Sequence, residues 1–197
     1  RDYEIFRLVS SETRPGRLNS TLFLLRIRLR MNATKEPLVR AMKAYFNGDT
    51  KRINHAHRVT EYAEELLKRK GGDYRIVIGA SLLHDIGIHQ AERKYGTTIG
   101  KYQEKEGPPI ARRILTSLDF EPSQIEEICQ IIAHHHSPGK INTQNFKILY
   151  DADWLVNLRD EYAIQDRNKL ANIIDRVFLT ENGKALAREV YLKEPKP

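Results

Sequence analysis

A chain of 197 residues and 22.9 kDa with 40% apolar residues can fill one sizeable core and reads as a single globular domain. Its one cysteine, Cys129, excludes an intrachain disulfide and a cysteine-based zinc cluster, so any metal would be held by histidine and carboxylate. The formal charge of +7 is concentrated at one end, where residues 1–30 carry seven arginines against Asp2, Glu4 and Glu12, and no aromatic platforms are interleaved with it, which speaks against a nucleic-acid partner.

Residues 1–30 contain no lysine and read as a basic extension, docked or disordered, that need not belong to the native protein. The domain proper is expected over 31–197, with Met31 resembling a natural start. The apolar run Leu22 to Leu29 is broken by Arg26 and Arg28, so it suits neither a bilayer span nor a signal-peptide core, and a cytoplasmic location is expected.

Pro37 is placed to open a helix in which Leu38, Ala41, Met42, Tyr45 and Phe46 recur at helical spacing until Asn47-Gly48-Asp49. A second helix is expected from Lys51 to Lys70, its apolar stripe formed by Val59, Tyr62, Ala63, Leu66 and Leu67. His55 lies four residues before Val59 on that face, whereas His57 falls on another side and is expected to be exposed. Read alone, His55 is better taken as a satisfied core histidine.

Asp73 is placed to cap a helix through Ile76, Val77, Ala80, Leu82 and Leu83, which ends in His84-Asp85. An imidazole and a carboxylate at the end of an apolar helix must find partners, and a divalent cation satisfies both. The bland reading is a helix end where His84 caps carbonyls and Asp85 begins a turn. The polar stretch His89 to Lys105 reads as a long loop or short helical pieces. Glu106 then begins a helix through Ile110, Ala111, Ile114, Leu115 and Leu118, where a carboxylate would complement the helix dipole.

Glu121-Pro122-Ser123 opens a further helix in which Ile125, Ile128, Ile132 and His135 keep helical phase. Of His134-His135-His136, His135 is expected to face inward. In the next helix Asp153 follows Leu149 by four and shares its inward side, which leaves Asp151 to cap or stay exposed. Two amphipathic segments, about Arg167 to Leu179 and Lys184 to Leu192, close an all-α bundle.

The settings His-Ala-His-Arg-Val, Leu-Leu-His-Asp-Ile-Gly and Asp-Ala-Asp-Trp-Leu, in this order over about residues 35 to 160, resemble the metal-dependent phosphohydrolases of the HD superfamily. The resemblance implies a helical core in which His55, His84, Asp85 and Asp153 hold a divalent metal, with Asp85 also orienting the attacking water. It further implies a second metal at His135, with His134 as the alternative, and at Glu106, which stands where relatives have a histidine. Ile88 stands where many relatives have a phosphate-contacting lysine, so Arg58, Lys94, Lys101 and Lys140 are the candidates for that role. The expected function is hydrolysis of a small phosphorylated molecule, a nucleotide phosphomonoester or phosphodiester. One or two ions per chain are expected, and Mn, Fe, Mg, Zn, Co and Ni all suit the ligands. Two other readings are an iron-dependent oxygenase on the same helical cage and a non-catalytic metal- or nucleotide-binding regulatory module. Dependence on O₂ would mark the first, and saturable binding without product the second.

Overall fold

Eight consecutive residues, Ile76 through Leu83, are buried, which makes the helix that carries them the axis of the molecule. A helix that is apolar on every side has to be enclosed by others. The computed structural model describes residues 17–160 and 166–193, with side chains described from residue 31 onward except at 70, 159 and 160. Nine helices and no strand are present among the described residues: α1 Arg17–Phe46, α2 Thr50–Lys70, α3 Tyr74–Leu83, α4 Ile88–Tyr95, α5 Gly100–Ser117, α6 Pro122–Ile132, α7 Gln144–Asp160, α8 Arg167–Val177 and α9 Glu181–Tyr191. The central α3 packs against α1, α2, α5, α6 and α7, while α2 packs along α7 and α9 closes over both. No described helix is long and apolar enough to cross a membrane.

The start of α3 follows the expected chemistry. Asp73 accepts the backbone N–H groups of Arg75 at 2.8 Å and Ile76 at 3.2 Å, a cap worth about 1 kcal/mol. Asn145 Oδ1 accepts the Asp73 N–H at 2.9 Å and its Nδ2 donates to Glu127 at 2.9 Å, so α7 begins against the start of α3. At α6, Glu121 and Gln124 form a capping box with Pro122 in the first turn.

Two helix starts differ from expectation, both because tertiary contacts override proline. Pro37 lies inside α1; upstream of it Thr34 is buried and Lys35 reaches Glu64 of α2 at 2.9 Å, while Leu38, Met42 and Phe46 are buried beyond it. Helical backbone continues back to Arg17, so from that point the expected extension is one helix with the body; residues 1–16 lie outside the described residues. Likewise α5 begins at Gly100 and not at Glu106, and Pro108 and Pro109 are interior. The stretch read as loop also contains α4, which ends on Gly96 in the left-handed region at φ 66°.

The turn that links α3 to α4 is pressed onto α5. A Cβ on Gly87 would collide with the Gln103 carbonyl oxygen and the Gly107 backbone nitrogen, so this approach requires glycine.

His57 is half-buried instead of exposed; burial, then the nearby Lys43 and Lys35, lower its pKa. Asp151 is fully buried and holds the residues that lead into α9, accepting from Leu179 N at 2.7 Å, Thr180 N at 3.0 Å and the hydroxyl of the N-cap Thr180 at 2.6 Å. Burial raises its pKa to about 6, against the pull of those donors.

Candidate metal centre

Each candidate side chain arrives on a different piece of the bundle. His55 projects from the second turn of α2, His84 is the C-cap of α3 and Asp85 follows it in the turn. His135 and His136 lie in the turn after α6, and Asp153 sits within α7. Ninety-eight residues separate His55 from Asp153, yet His55 Nε2 lies 3.1 Å from Asp153 Oδ1 and 3.2 Å from His84 Nε2. His84 Nε2 is 3.6 Å from both Asp153 Oδ1 and Asp85 Oδ2.

The two oxygens of Asp85 face different neighbours. Oδ2 turns toward His84 and His55, at 3.6 and 3.8 Å, whereas Oδ1 lies 3.6 Å from His135 Nε2. Two groups of donors result, His55–His84–Asp153 and Asp85–His135–His136, each close enough to hold a metal ion.

Their hydrogen bonding suits a cation. His84 Nδ1 donates to the Ser81 carbonyl at 2.9 Å and His135 Nδ1 donates to the Ile132 carbonyl at 2.7 Å. A carbonyl only accepts, so each Nδ1 carries a proton and Nε2 of each ring, when neutral, presents its lone pair to the centre. These backbone partners also fix ring orientation, as outer partners of metal-binding histidines do. The buried His135 Nε2 has no hydrogen-bond partner, an arrangement that costs about 1–3 kcal/mol unless a ligand satisfies it. On Asp153 the second oxygen accepts from Asn157 Nδ2 at 3.0 Å, which leaves Oδ1 directed at His55.

Charge is distributed accordingly. Burial would raise the carboxyl pKa of Asp85, but His84, His135 and His55 around it outweigh burial and hold it well below the usual range. The same contest, decided chiefly by the bond to His55, lowers Asp153. Burial lowers His84, so that ring stays neutral. At His135 burial is outweighed by Asp85 and the pKa rises; the pKa of the more exposed His136 is lowered by the protein around its inner side and by the neighbouring His135.

Around the centre lies a cleft of about 690 Å³, into which Lys51, Arg52 and Arg58 bring positive charge beside His55, Asp85 and Asp153. The volume is in the range that accommodates a small ligand. Of the four basic residues expected to meet phosphate, Arg58 lines this cleft and the other three do not. Lys94 is 2.7 Å from Glu106, Lys101 stacks over Tyr102 at 4.7 Å, and Lys140 is exposed beyond the histidines.

Glu106 belongs to neither donor group. Its carboxylate accepts from Lys94 at 2.7 Å and the Tyr95 hydroxyl at 2.8 Å, and Lys94, ahead of the opposing effect of burial, lowers its pKa. As α5 starts one and a half turns earlier than expected, Glu106 is carried past the centre to face α4. In the histidine run, His136 joins His135 beside Asp85 and His134 does not. Phase with Ile125, Ile128 and Ile132 picked out His135, which is buried, but not His136, because the helix ends at Ile132. Lys51 and Arg52 were legible as residues one turn before His55, and Asn157 as one turn after Asp153.

Comparison with known proteins identifies the family. The model of the HD domain matches residues 52–178. The chain belongs to the HD domain family. Among solved structures, the crystal structure of a predicted HD superfamily hydrolase from an uncultured Thermotogales bacterium is similar to this HD domain at 27% identity with a TM-score of 0.58, covering 79% of this chain and 83% of that one. No curated protein matches the sequence.

Proposed function

We propose that this HD domain protein is a metal-dependent phosphohydrolase acting on a small phosphorylated molecule, a nucleotide phosphomonoester or phosphodiester. The observation that carries the reading is Asp85, whose two oxygens face the two donor groups at the floor of a cationic cleft. The similar bacterial structure, a predicted hydrolase, supports the reaction class.

In this reading His55, His84, Asp85 and Asp153 hold the first divalent cation, while Asp85, His135 and His136 hold a second. When bound, such cations make water nucleophilic near neutral pH and neutralise charge on phosphoryl oxygens. Asp85 orients the attacking water from its position between the groups. Asn157 keeps Asp153 Oδ1 aimed at His55 by occupying the other oxygen. Lys51, Arg52 and Arg58 bind the anionic substrate and balance the charge that grows on its equatorial oxygens. Glu106, paired with Lys94, takes no part.

The test is elemental analysis of the purified protein, followed by turnover of phosphomonoester and phosphodiester panels with Mn²⁺, Mg²⁺, Fe²⁺, Co²⁺ or Ni²⁺. Metal in the protein and phosphate release that disappears in Asp85→Ala, with helicity preserved, would support the proposal. Turnover that requires O₂, or saturable nucleotide binding with no product under any metal, would overturn it.

A further inference from the structure

Among the described residues four buried side-chain polar atoms have no hydrogen-bond partner; two of them are His135 Nε2, 3.6 Å from Asp85 Oδ1, and Oε1 of Gln103, a residue that lines the same cleft as Asp85. Gln103 lies in the first turn of α5 and lines the cleft together with Asp85 and His136. Its side chain is hard to explain by packing alone, because Gln103 is 6% exposed and half of its amide is unsatisfied.

The orientation of that amide is set. Nε2 donates to the Thr98 carbonyl; turning the amide over would oppose two oxygens, so Oε1 keeps its position. The segment carrying it is equally fixed against the Asp85–His135–His136 group. A Cβ on Gly100 would lie 2.7 Å from the His136 ring, and Glu104 accepts the His136 N–H at 3.0 Å and the Ser137 hydroxyl at 3.2 Å. The Gln103 carbonyl meanwhile abuts Gly87, two residues after Asp85. The first turn of α5 is thus a wall of this donor group, and it brings one oxygen that nothing in the protein uses.

We infer that Gln103 Oε1 is a fourth, neutral oxygen donor to the divalent cation held by Asp85, His135 and His136. The inference rests on the proposed reading of that group as a cation site. One cation satisfies both orphaned atoms, His135 Nε2 and Gln103 Oε1. A carboxamide oxygen is a hard donor, so it inclines the site toward Mg²⁺ or Mn²⁺. Asp85 is the one carboxylate in this group and is shared with the other, which also has Asp153; the ion beside Gln103 is therefore the weaker of the two. Its donor set takes Gln103 where sequence reasoning named Glu106, one turn further along α5.

The experiment is calorimetric titration of the metal-stripped full chain with Mn²⁺, comparing the wild type with Gln103→Met and Gln103→Glu, with thermal melts to verify folding. The wild type should bind two ions of unequal affinity. Gln103→Met, which keeps the side-chain volume without the oxygen, should weaken the second event by about tenfold or more and leave the first unchanged. Gln103→Glu keeps an oxygen at Oε1 but sets its other oxygen against the Thr98 carbonyl, so it should bind the second ion more tightly than Gln103→Met does. Two events identical in all three proteins would overturn the inference while leaving the proposed function standing, and a raised KM alongside them would assign Gln103 to substrate. A wild type that binds no Mn²⁺ would overturn the reading of the centre itself.

Discussion

The two donor groups share Asp85 and little else. His55, His84 and Asp153 are carried by α2, the end of α3 and α7, which pack closely on one another, and His55 Nε2, His84 Nε2 and Asp153 Oδ1 approach within 3.1–3.6 Å of each other. His135 and His136 stand in the turn after α6, with His136 exposed on one side and held by Glu104 from α5. A centre built on interlocked helices is pre-organised, whereas one built on a turn depends on the element that presses against it. The first group should therefore bind its ion tightly and tolerate no change, and the second should be tunable from α5.

Asp85→Ala breaks both groups at once and should have the largest effect, lowering turnover more than about a thousandfold, which corresponds to several kcal/mol of lost charge stabilisation. Metal analysis should find both ions depleted. His84→Ala and His136→Ala separate the groups: the former should remove the tight ion and nearly all activity, while the latter should cost about tenfold in affinity for the weak ion alone. Equal losses in the two variants, read by titration, would erase the distinction between the groups.

Smaller changes sharpen the contrast. Asn157→Ala releases Asp153 Oδ2 and should weaken the first ion about tenfold without touching the second. Arg58→Ala removes a cleft cation and should lower kcat/KM about tenfold or more, through a raised KM together with a reduced kcat, because the lost charge both binds substrate and balances charge that grows in the transition state. Neither should move the thermal midpoint by more than a few degrees.

Much of this was legible in the chain because apolar stripes on separate helices each ran into a metal-capable residue. His55 before Val59 and Asp153 after Leu149 are helical residues that phase carried to the centre, and His84-Asp85 stand where the apolar helix ends at Leu83. Helical phase failed where the backbone left the helix or where proline marked a false boundary. His136 is placed by a turn beyond Ile132, and Gln103 by an α5 that starts six residues before Glu106 because Thr98, His136 and Lys94 all hold it from outside. Asp151 was open to capping or exposure; its hold on Leu179 and Thr180 at the entry to α9, twenty-eight and twenty-nine residues away, is a long-range contact that no local pattern encodes.

Anomalous scattering from crystals soaked in Mn²⁺ tests the central claim most directly. Two peaks on either side of Asp85, one among His55, His84 and Asp153 and the other among His135, His136 and Gln103, are the expected result. Manganese found only elsewhere, with the Asp85 carboxylate bound to nothing but its neighbouring histidines, would contradict it.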